Sequence, residues 1–77
     1  MRIYGSMLCP DCVECCKDLD EAGTSYVFYD FAEDLRNLKG FLKLRDTNPV
    51  FDTLKQEGKI GIPCIVHSDG TISLTWK

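Results

Sequence analysis

Cys9-Pro10-Asp11-Cys12 stands where a short apolar run, Arg2-Ile3-Tyr4-Gly5, hands over to a helical pattern. Proline suits the first helical position, where its missing N–H leaves nothing unpaired. Two thiols three positions apart can close a small disulfide ring without unfolding anything around them. The first also meets the positive end of the helix dipole and unpaired backbone N–H groups, which favour the nucleophilic thiolate. The motif therefore fixes a strand-to-helix junction near the N-terminus and points to reversible dithiol chemistry.

The 77 residues leave room for one domain, 1–77, with one core. The net charge is −3 and the nine basic residues are scattered, which argues against nucleic acid and against an anionic membrane surface. No segment reaches the ~20 apolar residues of a bilayer span. A signal peptide's basic and apolar regions are also missing, so the expected location is a reducing cytoplasm. Five cysteines, four of them between Cys9 and Cys16, suit a thiol-active or metal site better than a disulfide scaffold.

Beyond the dithiol, Val13, Cys16 and Leu19 recur at helical spacing with Cys12 on the same side, and Gly23 is a natural C-cap. The first helix is thus expected over about 10–22. This phase leaves Cys15 more exposed and places Cys16 in the core. Ser25 to Tyr29 reads as a second strand, giving a parallel βαβ unit. Asp30 with Glu33 resembles a capping box for a second helix whose apolar face is Leu35, Leu38, Phe41, Leu42 and Leu44. Lys39, Lys43 and Arg45 form its solvated side. Asn48-Pro49 breaks it and starts a short helix bearing Phe51 and Leu54, closed by Gly58. Ile60 to His67 is a third strand containing a proline. Asp69-Gly70 is a two-residue hairpin turn, and Thr71 to Trp76 returns antiparallel. The order is β-α-β-α-α-β-β.

With the dithiol at the head of the first helix and Gly61-Ile62-Pro63 opening the third strand, the chain resembles the glutaredoxin branch of the thioredoxin superfamily. It is most similar to the short glutaredoxin-related proteins of bacteria. The resemblance implies an α/β thioredoxin fold with a four-stranded mixed sheet, lacking the usual C-terminal helix. It also implies a thiol-disulfide oxidoreductase that reduces protein disulfides or glutathione mixed disulfides through Cys9 and Cys12. Pro63 is then cis and faces the dithiol, while the backbone of Ile62 pairs with the substrate. Read from the residues alone, proline cannot donate to a ladder, so one opening a central strand needs a reason; the alternative is a proline that only marks the strand's boundary. No bound cofactor is implied. Partners would be a disulfide-containing protein or a low-molecular-weight thiol, with glutathione a candidate co-substrate. Glutathione-using members carry a lysine before the dithiol and a Gly-Gly-acidic segment after the last strand. Here those places hold Gly5-Ser6-Met7-Leu8 and Thr71-Ile72-Ser73-Leu74, so the glutathione pocket does not carry over.

Exchange chemistry assigns the roles. Cys9, at the helix tip, attacks the target disulfide; Cys12, one turn inside and with the higher pKa, resolves the mixed disulfide. Pro10 stiffens the turn between them. Asp11 complements the helix dipole but opposes a thiolate on Cys9 by like charge, and both residues border the substrate. Cys64 is expected in the strand core near the dithiol. The rival reading makes Cys9, Cys12, Cys15 or Cys16, and Cys64 the ligands of zinc or an iron–sulfur cluster without redox turnover. The helix geometry of Cys12 and Cys15 argues against it, so no metal residue is assigned. His67 is expected at the solvated rim, and Trp76 over a sheet edge. Without the family's final helix, one sheet face should lie bare around Ile3, Ile72, Leu74 and Trp76. That face would be covered by a second copy of the chain, as a homodimer, or by a shifted part of 30–58.

Overall fold

The computed structural model describes residues 1–76. Its strands are β1 (Arg2–Gly5), β2 (Val27–Asp30), β3 (Cys64–Val66) and β4 (Ile72–Ser73). The helices are α1 (Pro10–Glu21), α2 (Leu35–Thr47) and α3 (Asp52–Gln56), with a 3₁₀ turn over Pro49–Phe51 leading into α3. The strands form one mixed sheet in the order β2-β1-β3-β4. β1 runs parallel to β2, with Tyr4 opposite Tyr29, and antiparallel to β3, with Tyr4 opposite Cys64. β4 closes the edge antiparallel to β3. No described helix is long and apolar enough to cross a membrane.

Alternation along β1 divides the core in two, because successive side chains point to opposite faces. Tyr4 joins Phe41, Phe51, Cys64 and Val66 on the face covered by α2 and α3. Phe41 anchors that layer, tilted against Phe31 at 5.2 Å and edge-on to Phe51 at 5.8 Å, spacings favoured by aromatic rings. Ile3 joins Cys15, Leu19 and Ile65 on the α1 face, with Tyr26, Phe28 and Trp76 packed around them.

Several expectations are corrected. The buried stripe of α1 is Cys12, Cys15, Cys16 and Leu19, whereas Val13 is 46% exposed. Those four follow an i, i+3, i+4, i+7 spacing, one face of a helix, and Val13 lies one residue round from it. Cys15 is thus fully buried rather than exposed. The N-cap of α2 is Asp34, whose Oδ1 accepts from Arg36 N–H at 2.8 Å. Asp30 instead caps its own turn, accepting from Ala32 N–H at 2.8 Å, the local bond that makes Asp a turn residue. The hairpin loop holds three residues, not two: His67 N–H donates to Thr71 O, and Gly70 takes φ 87°. A turn followed by a left-handed glycine is the usual three-residue solution.

The third and fourth strands are shorter than the alternation suggests, since 60–63 and 74–76 lie outside the ladder. The α1 face is not bare. Ile3 is fully buried, and Trp76 packs on its cluster while its Nε1 donates to Asp18 Oδ2 at 2.8 Å. Trp76 thus shares with Tyr26 and Phe28 the covering of Ile3, Cys15, Leu19 and Ile65.

Candidate functional site

The chain leaves β1 through a tight turn in which Cys9 N–H donates to Ser6 O at 3.0 Å and Leu8 N–H to Ser6 Oγ at 3.1 Å. The turn delivers Cys9 to the N-cap of α1, with an extended backbone (φ −93°, ψ 121°), and Pro10 to the first helical position. Cys9 makes no side-chain cap bond, so its sulfur is not committed to the helix it begins. It remains half-exposed, while Cys12, one turn along, is fully buried. The Cys12 thiol hydrogen-bonds Cys9, and the Ser6 backbone reaches the Cys12 sulfur. Burial above all, reinforced by Cys9, pushes the Cys12 thiol up to about 12. The two cysteines of the motif are therefore unlike: one open to solvent, one a protonated donor held against it.

Gly5 makes this packing possible. A Cβ at that position would stand 2.6 Å from Cys12 Sγ. Sequence reading assigns Gly5 only to the end of a strand; its role is to leave space for the inner sulfur.

Opposite Cys9, the segment before β3 crosses the head of α1. Its Ile62–Pro63 peptide bond is cis, the geometry the resemblance implies. Gly61 adopts φ 96°, and a Cβ there would meet the Phe51 ring at 2.9 Å, so this position requires glycine on two counts. Arg45 holds the segment from the far side, its Nε donating to Ile60 O at 2.9 Å and its Nη2 to Lys59 O at 2.8 Å. Arg45 is thus a tether rather than a member of the solvated face; Lys39 and Lys43 are exposed as expected. A side chain reaching fourteen or fifteen residues along the chain leaves no local signature.

Between helix head and segment lies a cleft of about 560 Å³, walled by Cys9 and Asp11 on one side and by Leu54, Ile60, Ile62 and Leu74 on the other. A smaller hollow of about 350 Å³ adjoins it, bounded by Asp11, Glu14, Ile62, Pro63 and Trp76. Cys9, Asp11, Ile62 and Pro63, read from the sequence as site residues, thus meet around connected space. Pro10 borders a separate shallow hollow with Met7, Leu8 and Val13.

The remaining cysteines stand apart from the cleft. Cys15 belongs to the α1 face and Cys64 to the opposite one, and burial raises each thiol to about 11. Cys16 is buried as expected, its thiol likewise raised by burial. Among the described residues, no three His, Cys, Asp or Glu side chains converge on a point that could hold a metal ion. The four-thiolate arrangement of the rival reading is not assembled, because the sheet separates Cys64 from Cys15. His67 is half-buried and its Nε2 meets Ser73 Oγ at 2.8 Å across the hairpin, which gives it a structural role away from the cleft.

The molecule is thus an α/β domain whose first helix begins with a paired-cysteine motif at the edge of a cleft. No family model matches the chain, and no solved structure does. It is 36% identical over 72 residues to an uncharacterized protein of Haemophilus influenzae, covering 94% of this chain and 84% of that one. The chain belongs to the same family as that protein.

Proposed function

We propose that the protein is a glutaredoxin-like thiol-disulfide oxidoreductase on a thioredoxin fold, acting through Cys9 and Cys12. One observation carries this reading: a half-exposed Cys9 borders a cleft whose far wall includes Ile62, next to a hollow bounded by Pro63, with a buried Cys12 thiol hydrogen-bonded behind it. The strand order β2-β1-β3-β4 and the cis Ile62–Pro63 bond before β3 support the fold assignment.

The Cys9 thiolate attacks one sulfur of a substrate disulfide R–S–S–R. A Cys9–S–S–R bond forms, the substrate S–S bond breaks, and R–S⁻ leaves. Cys12 then gives its proton to the departing thiolate and attacks Cys9 Sγ. The second R–S⁻ leaves and takes a proton from solvent. Counted from the Cys9 thiolate, the protein loses two electrons and the Cys12 proton as the Cys9–Cys12 disulfide closes, and the substrate becomes two thiols with that proton and one from solvent. The hydrogen bond from Cys12 to Cys9 places the resolving sulfur before the first step occurs, so the second step requires little rearrangement.

The partner in this reading is a disulfide-containing protein or a small thiol, with glutathione a candidate co-substrate, in a reducing cytoplasm. With dithiothreitol as the reductant in excess, the wild-type protein should accelerate insulin disulfide reduction, and Cys9→Ser should return the rate to the uncatalysed level. Activity retained in Cys9→Ser would contradict the reading.

A further inference from the structure

The cleft carries a charge asymmetry that bears on which disulfide it takes; this inference rests on the oxidoreductase reading above. Asp11 is exposed, lies two residues from Cys9, and borders both the main cleft and the adjoining hollow. Glu14 stands three residues further along α1, on the same side of the helix, and borders the hollow as well. Among the described residues one cation, Lys59, lines the main cleft, and its Nζ pairs with Glu57 at 3.0 Å. The other walls are apolar: Leu54, Ile60, Ile62 and Leu74. A substrate sulfur approaching Cys9 therefore meets an acidic rim on the helix side and an apolar wall opposite.

We propose that Asp11 is a specificity-determining residue that selects polypeptide disulfides flanked by lysine or arginine over those flanked by acidic groups. The wall suits a polypeptide, whose side chains can occupy the apolar space while a basic neighbour of the reacting cysteine lies over the Asp11 carboxylate. An anionic disulfide such as that of glutathione, with two carboxylates and one ammonium per half, would bring like charge to the same rim. The chain's net charge of −3 acts in the same direction at longer range. An exposed charge pair contributes up to roughly 1 kcal/mol, about a fivefold rate difference when it forms beside the reacting sulfur.

The test uses the reduced full-length protein and three disulfide-linked peptides that differ only beside the cysteine, carrying Lys, Gln or Glu. Each rate is divided by the rate at which dithiothreitol reduces the same peptide. The expected order is Lys over Gln over Glu, with about a threefold step between neighbours. In Asp11→Asn the Lys-to-Glu ratio should shrink by about threefold or more. In wild-type protein at 1 M salt, where the screening length is ~3 Å, it should also fall toward the dithiothreitol value. Equal corrected rates for all three peptides, or a ratio unmoved by Asp11→Asn and by salt, would overturn the selectivity and leave the oxidoreductase reading standing. No reaction with any of the three would contradict that reading, and the selectivity with it.

Discussion

The two faces of the sheet are built differently. The α2 face is a layer of large rings: Phe41 and Phe51 are fully buried, and Tyr4 stacks on Tyr29 at 5.1 Å. The α1 face has smaller buried side chains, Ile3, Cys15, Leu19 and Ile65, with the partly buried rings of Tyr26, Phe28 and Trp76 around them. The contrast separates two tasks. Aromatic area on one side supplies most of the stabilising burial, while the lighter side places α1 close enough to β1 for Cys12 to lie against Gly5. The cleft before Cys9 draws on both, since Leu54, Ile62 and Leu74 on its far wall pack against the aromatic layer.

The largest expected effect therefore lies far from the dithiol. Phe41→Ala removes the ring at the centre of the aromatic layer and should cost about 3–5 kcal/mol. That is a large part of the ~4–12 kcal/mol available to a chain of this length, so urea unfolding should show a much lower midpoint. A loss below 1 kcal/mol would mean that the α2 face is not the main source of stability.

Gly5→Ala sharpens the comparison from the other side. Its Cβ would press on Cys12 Sγ, so we expect about 1–3 kcal/mol of destabilisation from overpacking. Resolution of a Cys9 mixed disulfide, followed by quenched-flow alkylation, should slow as well. Unchanged resolution kinetics would mean that Gly5 does not set the position of the inner sulfur. Trp76→Ala should be milder, about 1–2 kcal/mol, because the ring is only half-buried. It would also expose Ile3 and Ile65, so increased binding of a hydrophobic dye is the accompanying readout; no increase would show that Trp76 does not close the face.

A further effect appears only in alkali and touches both faces alike. Burial holds Cys15 and Cys64 up to about 11, above an ordinary thiol near 9. In the window between those values the unfolded chain gives up thiol protons that the folded chain keeps. Stability should thus be level below pH 9 and fall as pH rises toward 11. Cys15→Ala and Cys64→Ala should each flatten that fall in pH-dependent urea melts; an unaltered slope in both would contradict the burial of these thiols.

Much of this was legible in the sequence because it is local. The strand before Cys9, the proline at the helix start, the break at Asn48-Pro49 and the turn at Asp69-Gly70 each depend on neighbours within a few residues. What was hidden depends on distant partners or on fine phase. Val13 and Cys15 each lie one position from the buried Cys12 and Cys16, and small apolar residues on both sides of α1 make that phase ambiguous. Asp30 and Asp34 are both competent caps, and only the path out of β2 selects between them. Arg45 reaches carbonyls fourteen and fifteen residues away, and Trp76 reaches Asp18 across fifty-eight. Neither contact leaves a mark in local pattern.

The central claim is a division of labour between an open Cys9 and a buried Cys12. It is tested most directly by reacting Cys12→Ser with a disulfide-linked peptide and mapping the trapped adduct by mass spectrometry. A stable mixed disulfide on Cys9, with Cys15, Cys16 and Cys64 unmodified in the folded protein, is the predicted result. An adduct carried mainly by any of those three, or none at all while the wild-type protein turns over the same peptide, would contradict it.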